Sequence, residues 1–162
     1  MGAVVSDTGP LNYLILIEAV SILPRLFSSV LIPAAVKAEL SHREAPTVVR
    51  AWIAQPPSWL KVENLRPAVI PELSSLHSGE REVITLALEQ PDLLILMDDR
   101  RGTVEARRRR ITVIGTLAAL DEAAARDWID LPEMFSRLRS TSFRSPLRLM
   151  ALMLDHDAQR KK

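Results

Sequence analysis

The chain has 162 residues, 48% hydrophobic and 25% charged, with a net charge of +1 and no cysteine. This is the length of one ordinary domain, able to bury a core without staples. The missing cysteines exclude disulfides, thiolate chemistry and a cysteine-based zinc site, and the near-neutral charge leaves any nucleic-acid contact to local basic patches.

A reducing cytoplasm is the expected compartment for a chain without cysteine. Met1 to Asp7 lacks the basic start of a secretory signal. The most apolar stretch, Leu11 to Phe27, is interrupted by Glu18, Pro24 and Arg25, so no membrane span is expected.

Ala3 to Asp7 reads as a short buried strand, followed by a helix with Pro10 at its first position. That helix carries Leu11, Leu14, Ile15, Ile17 and Ile22. Val30 to Ile32 is a second strand running into Pro33, and a helix follows to about Ser41. Trp52 and Ile53 lie on a further helix ending at Pro56-Pro57. Leu60 to Leu65 alternates apolar and polar residues, as an edge strand does. Pro67 to His77 reads as a loop, and Gly79 to Gln90 as a helix.

Leu93 to Met97 is a continuous apolar run, the pattern of a strand buried on both faces. Arg100 to Arg110 is a helix, and Ile111 to Ile114 another buried strand. Helices are predicted over Leu117 to Arg126, Leu131 to Arg139 and Pro146 to Asp157. Strands alternating with helices imply a three-layer α/β/α fold with a central, mainly parallel sheet. Residues 1–158 form one domain in this reading, and 159–162 a frayed tail.

In such sheets ligands bind outside the carboxyl ends of the strands. Asp7 follows the first strand, and Asp98 and Asp99 follow the Leu93 to Met97 strand. Glu80 shares its helix face with Val83, Ile84, Ala87 and Leu88, whereas Glu82 points nearly the opposite way. An acid on an inward face is costly unless it is paired or binds a cation. Glu39 follows Val36 on the flank of an apolar stripe. Together Asp7, Glu39, Glu80 and Asp99 make an all-oxygen set that suits Mg²⁺ or Mn²⁺, and phosphodiester hydrolysis uses such sets. The histidines His42, His77 and His156 show no metal-ligand spacing, and no phosphate-binding glycine loop is present.

Arg100, Arg101, Arg107, Arg108, Arg109 and Arg110 gather around one helix beside these acids, as phosphate binding requires. The same arginines also suit a solvated helix face. Aromatic residues are only 4% of the chain, so base stacking is not expected to dominate recognition. Trp52, Trp59 and Trp128 read as packing residues. Leu11 to Phe27 is apolar on more than one face, which points to a homodimer.

In this order, the pieces Val5 to Leu14, Ile32-Pro33 with Glu39-Leu40, Gly79 to Ala87, Met97 to Gly102 and Val113 to Thr116 carry a resemblance. The chain resembles the PIN-domain nucleases, particularly the small prokaryotic branch holding VapC-like toxins, over roughly Val4 to Arg126. Phe143-Arg144 before a closing helix is similar to one uncharacterised subgroup. The resemblance implies catalytic, metal-binding acids at Asp7, Glu39, Glu80 and Asp99, with Asp98 the rival of Asp99. The third acid is commonly Asp in these toxins, whereas Glu80 stands here. Thr8 and Asn12 would support the site. Also implied are Mg²⁺ or Mn²⁺, cleavage of single-stranded RNA, homodimers and a small antitoxin. The competing expectation is a catalytically weak or inactive member of the fold that binds RNA or protein.

Overall fold

The computed structural model describes residues 1–64 and 73–162. Its sheet has the order β3-β2-β1-β4-β5, with every neighbouring pair parallel. The strands are β1 (Val4–Ser6), β2 (Val30–Pro33), β3 (Leu60–Glu63), β4 (Leu94–Leu96) and β5 (Val113–Ile114). Among the described residues nine helices flank them, giving the expected three layers. They are α1 (Thr8–Leu16), α2 (Leu23–Leu26), α3 (Ala34–Leu40), α4 (Thr47–Ala54), α5 (Ser78–Glu89), α6 (Arg100–Arg108), α7 (Thr116–Ala125), α8 (Leu131–Arg139) and α9 (Leu147–Arg160).

β1 and β2 are buried along their whole length, and β4 nearly so, because helices cover both faces. β3 and β5 lie at the sheet edges and are partly exposed. The strand read at Ile111 to Ile114 is therefore shorter and less buried than its composition suggested. β1 is the pivot of the topology. The chain leaves it towards β2 and β3, then returns across the sheet to pair β4 against its other side. The strand order reverses between β1 and β4, the place where open parallel sheets form a crevice.

Several sequence expectations shift in detail. Pro10 sits at the third position of α1, two later than expected, because Thr8 and Gly9 already belong to the helix. Its missing N–H costs nothing within a first turn. α1 stops at Leu16, Glu18 takes a left-handed backbone (φ 61°), and Ile22 falls in a separate 3-10 turn, Val20–Ile22. From Leu11 to Phe27 most of the large apolar residues, Leu11, Leu14, Ile15, Ile17, Ile22, Leu23, Leu26 and Phe27, are buried within the chain itself. Helices α3, α4 and α7 pack against α1 and cover it from more than one side. Most of the apolar surplus of this stretch therefore belongs to the core, while Tyr13, Leu16 and Val20 are only half-buried.

Leu65 of the expected edge strand, and 67–72 of the expected loop, lie outside the described residues. The remainder of that loop, Leu73 to Leu76, turns with both leucines buried. α9 runs three residues further than expected. Arg160 bonds Asp121 and Asp157 at 2.8 and 2.9 Å, and Lys161 bonds Asp157 at 2.8 Å. Trp52 and Trp59 pack together, with ring centroids 5.8 Å apart, and Arg25 lies 3.9 Å over Trp128. Among the described residues no helix is long and apolar enough to cross a membrane.

Candidate active site

The crevice beyond β1 and β4 is a cleft of about 490 Å³ lined by Asp7, Glu39, Glu80, Asp98 and Asp99, together with Thr8, Gly9 and His77. Asp7 and Glu80 are buried, at 7% and 9% exposure. Glu82, two residues on, is partly exposed and does not line the cleft. The angular argument from helix periodicity therefore holds for these two acids. Leu88 departs from it, being 39% exposed near the end of α5.

Each acid takes its hydrogen bonds from the first turn of a helix. Asp7 is the N-cap of α1, bonded by the Thr8 backbone. Glu80 Oε2 accepts the backbone N–H of His77, the N-cap of α5, at 3.1 Å. Asp99 caps α6 through the N–H of Gly102 at 2.7 Å. Asp98 accepts the N–H and hydroxyl of Thr116, the first residue of α7, at 2.8 and 2.5 Å. Glu39 stands near the C-terminal end of α3, where an acid is disfavoured. It borrows the Thr8 hydroxyl from α1 and the Gly79 N–H from α5, the latter at 3.1 Å. Unpaired helix N–H groups and the helix dipoles thus face the acids from several directions.

These donors do not fully offset the crowding of charge. Burial pushes the Asp7 carboxyl up to about 7, and the nearby charges of Glu80, Glu39 and Asp99 add to the rise. Burial and the Asp99 charge also raise Glu80, against the pull of His77. Asp98 is exposed as a residue, yet protein enclosing its carboxyl raises it while the Thr116 bonds oppose the rise. The Asp99 charge acts on both Asp7 and Glu80. Both neighbours line the cleft, and they differ in what holds them: Asp98 is tied to the start of α7, and Asp99 caps α6.

Gly79 makes the close approach of Glu39 possible. A Cβ there would lie 2.6 Å from Glu39 Oε1. Among the described residues no three acids or histidines already converge as a metal-binding group. The donor chemistry nevertheless fits a hard divalent cation, because the set is all oxygen and its charge is under strain. A carboxylate oxygen holding one hydrogen bond keeps a second lone pair, so the existing bonds leave coordination open.

Other expected site residues fall elsewhere. Asn12 does not line this cleft; it lines a neighbouring one across the wall formed by Thr8 and Glu39. Arg100 and Arg101 are exposed at the start of α6, next to Asp99. Arg107, Arg108, Arg109 and Arg110 are not beside the acids. They lie at the other end of α6, roughly 13 Å along the helix axis. Arg108 and Arg109 bond Glu105 at 3.3 and 2.8 Å, and Arg109 and Arg110 border a cleft at the opposite ends of β4 and β5. His77 is a cleft residue that ligand spacing did not reveal. Its signal was local, as the residue three before Glu80 at a helix start.

A protein-family model described as a PIN domain matches residues 3–158. A solved structure, a PilT N-terminus domain protein from the hyperthermophilic archaeon Sulfolobus solfataricus P2, is similar at 17% identity with a TM-score of 0.53. The match covers 76% of this chain and 93% of that one. No curated protein matches.

The crowding of the acids has two measurable consequences. Unfolding returns Asp7 to its ordinary value of 3.8, so the folded protein holds an extra proton between about pH 4 and pH 7. In chelator, stability should fall as pH rises through that window, by about 1.4 kcal/mol for each tenfold fall in proton concentration. Asp7→Asn should flatten the melting-temperature profile and melt above wild type near pH 8; coincident profiles would show that the carboxyl is not strained. Gly79→Ala should destabilise the protein, although an alanine in a helix normally gains about 0.5–1 kcal/mol over glycine. In a Glu39→Ala background the same change should become stabilising. Denaturant unfolding of the four proteins measures this coupling, and an additive result would remove the Gly79–Glu39 constraint.

Proposed function

Because the chain belongs to the PIN-domain family, we propose that it is a Mg²⁺- or Mn²⁺-dependent endoribonuclease that cuts single-stranded RNA. PIN domains are nucleases as a class. The observation that carries the reading is the burial of Asp7 among Glu80, Glu39 and Asp99, which raises its carboxyl to about 7. Crowded like charge of this kind is expensive in a structural role and useful where a cation is bound.

Asp7, Glu80 and Asp99 would hold the cation, with Glu39 contributing from the wall it shares with Thr8 and Gly79. When bound, the ion supplies positive charge against the phosphate and the leaving oxygen. The chain's own groups do the positioning. The Thr8 hydroxyl and Gly79 N–H fix the Glu39 carboxylate. The Gly102 N–H fixes one oxygen of Asp99, which lines the cleft, and leaves the other without a protein donor among the described residues. Asp98, held by Thr116, anchors the start of α7 against the β4 end. Arg100 and Arg101 are exposed at the rim and make no ion pair among the described residues, so they are suited to draw in the phosphate backbone. Arg107 to Arg110 would contact RNA only if the strand extended around the far end of α6.

Toxin activity, a small antitoxin and a homodimer accompany this reading through the likeness to VapC-like proteins. One observation favours the second reading, a module that binds RNA or protein without cutting. The acids each rest on a separate donor and do not form a ready metal group among the described residues.

Cleavage of labelled single-stranded RNA with Mn²⁺ and with chelator separates the two. Wild type should cut only with the metal. Glu80→Gln should lose about a hundredfold or more, the scale of removing one preorganised charge contact. Glu82→Gln should cut at a near wild-type rate, with a helix-start cost of about 0.3–1 kcal/mol at most. Undiminished cutting by wild type in chelator would contradict the metal mechanism. RNA binding without cutting under any metal would establish the binding module.

A further inference from the structure

Thr8 and Glu39 form a wall with a cleft on each side. The acids line one. The other, of about 500 Å³, is faced by Ala35, Ala38, Leu40, Ala45 and Pro46. That volume is within the range of small-molecule sites. Among the described residues its lining holds no lysine or arginine, so it lacks the fixed cations that favour a phosphate. Its polar groups beyond the shared wall are Asn12, His42 and Ser78. They come from separate places: Asn12 from α1, His42 from the turn after α3, and Ser78 from the start of α5.

The polar groups have hydrogen-bonding capacity to spare. His42 Nδ1 accepts the N–H of Glu44 at 3.1 Å. A neutral ring bonded in this way carries its proton on Nε2 and presents a donor. The Asn12 amide makes no hydrogen bond among the described residues, so it offers an acceptor and two donors. An aliphatic side chain would fill the apolar surface and leave these groups unmatched. A nucleobase has apolar faces and a polar edge that requires both donors and acceptors.

We propose that this second cleft receives one nucleobase of a single strand whose neighbouring phosphate lies at the acids, with Asn12 and His42 meeting the base edge. The inference rests on the nuclease reading above and deepens it. It also predicts a preference for single strands. In a duplex the bases are paired and stacked, and cannot turn into a cleft beside the backbone; an unpaired base can. Glu39 is the hinge of the arrangement, facing the acids on one side and the base cleft on the other.

The test uses a short labelled RNA that wild type cuts at one place, with a single abasic nucleotide stepped along it. Binding is read by fluorescence anisotropy in chelator, and cleavage with Mn²⁺. One abasic position beside the cut should weaken wild-type binding about tenfold, which is about 1.4 kcal/mol. Ala38→Leu, at an exposed helix position, narrows the cleft. It should weaken binding of the intact RNA by a similar factor and leave the abasic RNA unchanged. Asn12→Ala should reduce the abasic penalty without altering the melting temperature.

Equal tolerance of every abasic position by wild type would overturn the inference. So would an Ala38→Leu protein that keeps the full position-specific penalty, which would leave the cleft to a protein segment. Failure of wild type to bind or cut any single strand would overturn the nuclease reading and this inference with it, so the two failures are distinct.

Discussion

Negative charge gathered at the carboxyl edge of a parallel sheet is the constraint on which the other features of this site depend. The order β3-β2-β1-β4-β5 brings the ends of β1 and β4 together, and Asp7, Asp98 and Asp99 with them. A parallel α/β sheet also starts its following helices at that edge. The N-terminal turns of α1, α5, α6 and α7 accordingly supply N–H groups to the acids. Helix dipoles stabilise an acid by about 0.3–1 kcal/mol each. Here they are not enough, because the Asp7 carboxyl still rises to about 7. A divalent cation is the partner whose charge and oxygen preference would complete the balance.

The same polarity places the opposite charge at the other end. Arg107 and Arg108 occupy the last turn of α6, where the dipole favours cations, and Glu105 pairs with Arg108 and Arg109. The Glu105 carboxyl is lowered by Arg109 and Arg108. Charge is therefore divided along α6: an acid cap at its start with Arg100 and Arg101 exposed beside it, and an arginine cluster at its end. Glu39 is the exception to the polarity, an acid near a helix C-terminus. It is held by donors from two other helices, and this is why Gly79 must lack a side chain.

The sheet and the acids were legible in sequence because both follow from short-range rules. Apolar runs ended by Asp located β1 and β4, and helix periodicity separated Glu80 from Glu82. What was not legible depended on which parts of the fold meet. The arginines of α6 are close to Asp99 in sequence but a helix length away in space. Asn12 belongs to the right helix and faces the neighbouring cleft. Most of the apolar surplus of Leu11 to Phe27 is covered by α3, α4 and α7, from distant parts of the chain. Asp98 and Asp99 are adjacent, and only the positions of Thr116 and Gly102 show which is tied to α7 and which caps α6. The placement of helix starts at one edge was implicit in the predicted βα pattern, yet His77 was missed because the helix was read as starting at Gly79 and not at Ser78.

Proton release on cation binding tests the central claim most directly. Near pH 6 a carboxyl pushed to about 7 is mostly protonated, and a cation binding there must displace that proton. Calorimetric titration with Mn²⁺ in two buffers of different ionisation enthalpy counts the protons released. The wild-type protein should release about one per ion near pH 6 and progressively fewer as pH rises past 7, while Asp7→Asn should bind Mn²⁺ more weakly and release fewer protons for each ion that binds. Mn²⁺ binding with no proton released by wild type near pH 6, or no binding at all, would contradict the account.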